Sequence, residues 1–285
     1  MNISSKYFQK EDFHTFITYL TCLLEDATET TNALGLTFRF KGDNISNTIN
    51  MEANKEIIDE NNRMISQTKP LVGIRKIIAE RMRESLNRSP QFTAIACNVD
   101  VTNLVRLKEK YSFEGMSVSY TDLFIFIVSK ALITFPELNS SLQNEKIIVY
   151  KSVNIGIAVA TGKHLIVPVV KEVQRKNISQ ISAETKLLIK RTKNNELRED
   201  DLRGGTFTLT NLGMFNVDIT TPILNPPEAA ILGIGAIRKS PVVVNDKIEI
   251  KPLTTLSLTI DHAVADGATA AGFLDEIRRL CSELE

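Results

Sequence analysis

Apolar and polar residues follow short, well-marked periods from about Lys69 onward, and before it they do not. The stretch "KGDNISNTINMEANKEIIDENNRMISQTK" is rich in Asn and charge and sparse in aliphatics, as in a linker or a weakly packed helical appendage. At "KPLVGIRKIIAERM" the pattern turns helical, with Ile74, Ile77, Ile78 and Met82 on one face and Arg75, Glu80 and Arg81 on others. A boundary near Lys69 follows, separating an N-terminal appendage, 1–69, from a main domain, 70–285.

Within the main domain, helical and strand periods alternate. "FTAIACNVDV" reads as a strand, "TNLVRLKEKY" as a short helix capped by Asp100 or Thr102, and "TDLFIFIVSKALITF" as a buried helix ended by Pro136. "VNIGIAVAT" and "LIVPVV" are nearly continuous and β-branched, so they predict strands covered on both faces or crossing between subunits. "ISAETKLLIKRTKNN" is amphipathic and helical. "GGTFTLTNL", "EAAILGIGAI", "PVVV", "KIEI" and "LTTLSLTI" predict strands, with an Asn245-Asp246 turn between "PVVV" and "KIEI". A last helix puts Phe273, Leu274, Ile277, Leu280 and Leu284 on one stripe. The sum is a mixed sheet with helices packed on it.

Composition narrows the partners more than the fold. The 285 residues are 43% hydrophobic and carry no net formal charge, and Lys and Arg are dispersed, so nothing resembles a nucleic-acid footprint or a polybasic membrane helix. The longest early apolar run, "FHTFITYLTCLL", is shorter than the roughly 20 residues that span a bilayer. Cys22, Cys97 and Cys281 are odd in number and scattered, which points away from a disulfide framework or a metal site and towards a reducing, cytoplasmic compartment.

Candidate chemistry centres on "LTIDHAVADGATAAGF". His262 falls where a strand gives way to a loop, a position that can hold an imidazole rigidly and still meet a substrate. Pattern alone favours instead an edge histidine followed by Asp266 as N-cap of the last helix, with Gly267 easing the turn. No G-x-S-x-G elbow or activated Cys completes a nucleophilic triad, and His14 and His164 have no sequence partners, so a covalent enzyme intermediate has no support. A base alone suffices if the substrate brings its own nucleophile to a thioester; the oxyanion then needs a donor. In "GGTFTLTNLGMF", Thr208 and Thr210 share one face of a strand before an Asn211–Gly213 turn, and a fixed hydroxyl there is either such a donor or an ordinary strand residue. "GIGAI" lacks dinucleotide-loop spacing.

The octapeptide "DHAVADGA" resembles the D-H-x-x-x-D-G signature of the acyltransferase component of 2-oxo acid dehydrogenase complexes, the dihydrolipoamide acetyltransferase type. "KPLVGIRKIIAERMRES", "FPELNSSL", "VNIGIAVATGKHLIVPVV", "LREDDLRGGTFTLTNLGMF" and "TPILNPPEAAILGIGAI" resemble the same catalytic domain in the right order, from about Lys69 to the C-terminus. The resemblance implies a chloramphenicol-acetyltransferase-like α/β two-layer sandwich, a mixed sheet with packed helices, assembled as a homotrimer with interfacial active sites. It implies coenzyme A as a substrate entering a channel opposite the acceptor, with no metal. Carried over, His262 is the general base, Asp266 the motif's aspartate and Thr210 the hydroxyl that stabilises the oxyanion. Arg75, with Arg81 as the other choice, is a candidate guanidinium partner for Asp266.

The chain also departs from that family. Residues 1–69 show neither a lipoyl-domain Asp-Lys-Ala hairpin nor a subunit-binding pattern, so no lipoyl group is expected on this chain. The end at "LCSELE" lacks a leucine-ended tail, which predicts a free trimer. Ala263 stands where an arginine is common, and Gly162 where an acidic residue is frequent. The expected activity is acyl transfer, of acetyl first, between CoA and a thiol or hydroxyl. The acceptor is either a dihydrolipoyl group supplied in trans or a small-molecule or carrier-bound hydroxyl of specialised biosynthesis. Partners are accordingly a lipoyl domain, an acyl-carrier protein or a small molecule. The alternative is a non-catalytic assembly component of a dehydrogenase complex.

Overall fold

A computed structural model describes residues 57–162 and 164–284. The expectations for "FHTFITYLTCLL", His14 and Cys22 lie outside the described residues, as does most of the Asn-rich stretch. The chain divides into two units, Met1–Leu71 and Val72–Glu285. In the first, β1 (Ile57–Ile58) and β2 (Met64–Ile65) pair antiparallel, and Asp59 closes the turn by accepting from the Asn61 and Arg63 amides.

The second unit opens with α1 (Gly73–Arg88), then β3 (Gln91–Asp100) and α2 (Thr102–Phe113). The N-cap of α2 is Val101, not the expected Asp100 or Thr102, and no side chain caps it; the Asp100 carboxylate, one residue earlier, accepts from both the amide and the hydroxyl of Thr102 at the first helical position. Next comes α3 (Tyr120–Thr134), opened by a reciprocal capping box between Ser119 and Asp122 and followed by Pro136. A hairpin not assigned from sequence follows, β4 (Ser140–Gln143) and β5 (Lys146–Val149), around Asn144 and Glu145, both at left-handed φ.

The predicted long strands around 153–170 are broken into β6 (Ile155–Ile157), β7 (Val159–Ala160), β8 (Leu165–Ile166) and β9 (Val169–Val170). Pro168 has no N–H for a ladder and contributes only its carbonyl, which accepts from Ile157, so β7 and β8 pair with each other as a separate ribbon. After α4 (Ile178–Asn194) come β10 (Phe207–Asn211), β11 (Ala230–Ile234), β12 (Arg238–Val244) and β13 (Lys247–Asp261), and then α5 (Gly267–Glu283). "KIEI" and "LTTLSLTI" are therefore one 15-residue strand, not two. The Asn245-Asp246 turn that feeds it is as expected, both residues having positive φ.

The sheet runs β3-β13-β11-β10-β6-β9, with β12 and β11 sharing one edge of β13 in succession. β10 is parallel to both β6 and β11, and the other pairings are antiparallel, so the sheet is mixed as predicted. Alternation sorts its two faces. Phe207, Leu209, Leu232, Leu256, Leu258 and Ile260 are buried on the helix side, where Phe273 of α5 tilts against Phe207 at 5.8 Å. Thr208, Thr210, Gly233, Ser257 and Thr259 point the other way.

That second face is roofed by chain rather than by helix. Residues 216–228 cross it, and the two glycines of "GIGAI" make room. A Cβ on Gly235 would lie 2.0 Å from the Asp218 carbonyl oxygen, and one on Gly233 would lie 2.7 Å from the Thr220 methyl. These glycines serve backbone approach, which explains a motif that fits no phosphate loop. At the far end of the crossing, Ser85 donates to the Leu224 carbonyl at 2.7 Å and Arg81 to that of Pro226 at 2.6 Å. The predicted apolar stripe of α1 is only half engaged: Ile78 and Met82 are half-buried, but Ile74 and Ile77 are 52% and 64% exposed. The helix is tied to the unit by these polar contacts instead.

Candidate active site

His262 is held by its backbone and free at its ring. Asp261, the last residue of β13, is buried; its carboxylate accepts from the Ala263 amide at 2.9 Å, and its carbonyl accepts from Val264 and Ala265. The His262 amide donates to Pro90 at 2.9 Å. The exposed imidazole meets Phe92 in a T-shaped contact, with ring centres 5.7 Å apart and planes at 86°. Asp261, not among the residues expected from sequence, forms the turn that presents the His262 ring, whereas Asp266 does not take part in it. The signal was present in the motif's first letter.

Asp266 is the N-cap of α5 and accepts from the Thr269 amide at 2.9 Å. That amide, then the Thr269 side chain and more weakly the nearby His262 charge, hold its carboxyl below the usual range. The expected guanidinium partner is not formed within one chain. The short ion pairs of the described residues include none between Asp266 and Arg75 or Arg81, and Arg81 is engaged with Pro226. Backbone N–H groups at the start of α5 satisfy the carboxylate in place of an arginine.

Thr210 is half-buried near the end of β10. Its neighbours are committed: Thr208 donates to Glu228, and Asn211 donates to Thr121 at 3.1 Å while accepting from the Gly213 amide. The Thr210 hydroxyl has no partner among the described residues, and it faces the roofed side of the sheet.

Register fixes how far apart these two groups are. Thr210 pairs with Gly233, Gly233 pairs with Ser257, and His262 lies five residues beyond Ser257, just past the end of β13. Strand rise and spacing make that about 16 Å along the sheet and about 10 Å across it, or about 19 Å in all. A base and an oxyanion donor that share one carbonyl carbon must each lie within about 3 Å of the atoms they serve. The two residues of one chain cannot do so.

Beneath the roof, structure reveals a group that sequence reasoning missed. Glu228 is fully buried, accepts from Thr208 on one oxygen and from Asn225 at 3.0 Å on the other, and presses on Gly205. Burial pushes its carboxyl up to about 7, against the lowering pull of the Thr208 and Asn225 hydrogen bonds and the Arg81 charge. Because the folded value lies above the ordinary 4.5, the stability linked to its proton is complete below about pH 4.5 and is lost as pH rises through 7. Glu228→Gln is expected to remove about 3 kcal/mol of pH-dependent stability. Urea unfolding at about pH 5 and about pH 8 measures it, and a variant as pH-sensitive as the parent would show that the carboxyl ionises normally.

Elsewhere the described residues contain no group of three or more His, Cys, Asp or Glu placed to hold a metal ion, and no helix long and apolar enough to cross a membrane. Cys97 and Cys281 are unpaired.

Comparison with known proteins bears on this arrangement. The family of 2-oxoacid dehydrogenases acyltransferase (catalytic domain) matches residues 64–285. Over 211 residues the chain is 41% identical to the dihydrolipoyllysine-residue acetyltransferase component of the pyruvate dehydrogenase complex of Rickettsia conorii, covering 72% of this chain and 51% of that one. Over 229 residues it is 35% identical to the dihydrolipoyllysine-residue succinyltransferase component of the 2-oxoglutarate dehydrogenase complex of Buchnera aphidicola, covering 79% and 55%. The chain thus spans about half the length of these curated relatives. Among solved structures, a probable dihydrolipoamide acetyltransferase from Listeria monocytogenes superposes with a TM-score of 0.73 at 37% identity, covering 77% of this chain and 95% of that one.

Proposed function

Because the chain belongs to the family of 2-oxoacid dehydrogenase acyltransferases, through their catalytic domain, we propose that it moves an acyl group between CoA and a thiol or hydroxyl at a site built from two copies of itself. The separation of His262 from Thr210 carries this reading: each is presented with a free functional group, at opposite ends of one sheet. Head-to-tail contacts between identical chains, closed as a trimer, bring the His262 end of one copy to the Thr210 end of the next.

At such a site His262 removes the acceptor's proton, and the resulting thiolate or alkoxide attacks the thioester carbonyl carbon. As the new bond forms, the carbonyl electrons move to oxygen, and Thr210 donates its hydroxyl hydrogen to that oxyanion without reorganising. Collapse breaks the bond to the CoA sulfur, which takes the proton back from the imidazole. No covalent bond to the enzyme forms. Asp266 acts on geometry, since capping α5 fixes the far end of the loop that carries His262.

The catalytic domain is placed at 70–285, with 1–69 as an appendage. A dihydrolipoyl group is the acceptor favoured by the relatives' chemistry. The test is mass spectrometry of acetyl transfer from acetyl-CoA to dihydrolipoamide and to a panel of alcohols. Acetyl-dihydrolipoamide is the expected product. Transfer to the alcohols alone would assign the hydroxyl chemistry instead, and no transfer to either would support an assembly role without catalysis.

A further inference from the structure

The relatives transfer different acyl groups, acetyl in one and succinyl in another, so family membership leaves the acyl group open. We propose that Thr220, laid across Gly233 beside Thr210, is the specificity-determining residue that forms the wall against which the acyl chain is measured. This rests on the reading of Thr210 as oxyanion donor.

The placement follows from register and from the missing Cβ of Gly233. Gly233 is the direct neighbour of Thr210 across the β10–β11 pair, and positions paired in this way put their side chains on the same face, about 5 Å apart. The Thr220 methyl lies 2.7 Å from the point a Gly233 Cβ would occupy, and Pro222 Cδ lies 3.6 Å from it. Thr220 therefore stands within about 8 Å of the Thr210 side chain, in the space a larger residue at 233 would fill. A thioester oxygen bound at about 2.8 Å from the Thr210 hydroxyl puts the first acyl carbon within about 5 Å of it. A chain that runs across the bare Cα of Gly233 then brings its second and third carbons to Thr220.

This wall is stiff. One side of the crossing segment is fixed by the Ala236 amide donating to Val217 at 2.8 Å and by Arg238 Nε donating to Asp218 at 2.6 Å. On the other side, the Leu224 amide donates to Gln91 at 3.1 Å, and the Leu224 carbonyl accepts from Ser85 at 2.7 Å. Gly235 admits the Asp218 carbonyl so closely that the segment cannot slide outwards without losing that fit. A rigid wall discriminates by size because it cannot yield to a longer chain. The Thr220 hydroxyl, with no partner among the described residues, also leaves a donor for a polar acyl end.

The test compares kcat/KM for acetyl-CoA and butyryl-CoA with dihydrolipoamide as acceptor, in the parent, Thr220→Ala and Thr220→Leu. The butyryl-to-acetyl ratio is expected to rise about tenfold in Thr220→Ala and to fall about tenfold in Thr220→Leu. Ratios within about twofold of the parent in both variants would overturn the assignment while Thr210→Val still lost its rate. A Thr210→Val enzyme at full rate would overturn the Thr210 reading and this one together. A second measurement needs no turnover: Gly233→Ala should lower Tm by about 3 °C or more, and adding Thr220→Ser, which removes the opposing methyl, should restore it. An unaltered Tm in Gly233→Ala, or no restoration in the double variant, would place Thr220 elsewhere.

Discussion

His262→Ala is expected to lower kcat about 100- to 10,000-fold, the range over which a positioned general base acts, while the protein keeps its fold. The two parts of that expectation have separate grounds. The imidazole is exposed and makes no side-chain hydrogen bond among the described residues, so its removal leaves no cavity and no unpaired buried group. The turn beneath it is made by Asp261 and by backbone amides, which the substitution leaves in place. Steady-state kinetics beside thermal unfolding checks both. A variant that turns over at the parental rate would mean that the proton leaves by another route. A variant that unfolds would mean that the ring is structural.

Thr210→Val is expected to cost about 100- to 1,000-fold in kcat with little change in KM, as for loss of an oxyanion donor that acts only in the transition state. Valine keeps the β-branched shape that suits β10, and no hydrogen bond within the chain is lost because the Thr210 hydroxyl makes none among the described residues. Thr210→Ser should return most of the rate. If valine and serine behave alike, the hydroxyl is not what the site uses. Thr208→Val is the contrasting case: it removes the donor to the buried Glu228 and should act on stability first.

Much of this was legible in the chain because it depends on neighbours in sequence. The Asp266 cap, the Asn245-Asp246 turn and the shared face of Thr208 and Thr210 all follow from spacings of a few residues. What could not be read depends on residues brought together from far apart. Glu228 sits in an apolar run and is explained only by Thr208 and Asn225 closing on it. The spacing of "GIGAI" excludes a dinucleotide loop, but what its glycines serve depends on the distant 216–228 crossing that lies on them. The Arg75 expectation paired the Asp266 carboxylate with a guanidinium on charge and fork geometry, whereas within one chain the Thr269 amide at the start of α5 meets that carboxylate. The apolar face of α1 predicted burial that one chain does not provide, and Ile74 and Ile77 remain exposed.

The two-chain site is the claim on which the rest depends, and complementation between inactive variants measures it directly. His262→Ala and Thr210→Val chains, each inactive alone, are unfolded together in equal amounts and allowed to reassemble. In random trimers, about one site in four joins a threonine from a His262→Ala chain to a histidine from a Thr210→Val chain, so activity should return to roughly one quarter of the parental value. Activity no greater than that of the two variants assayed separately, in mixtures shown to contain hybrid assemblies, would contradict the account.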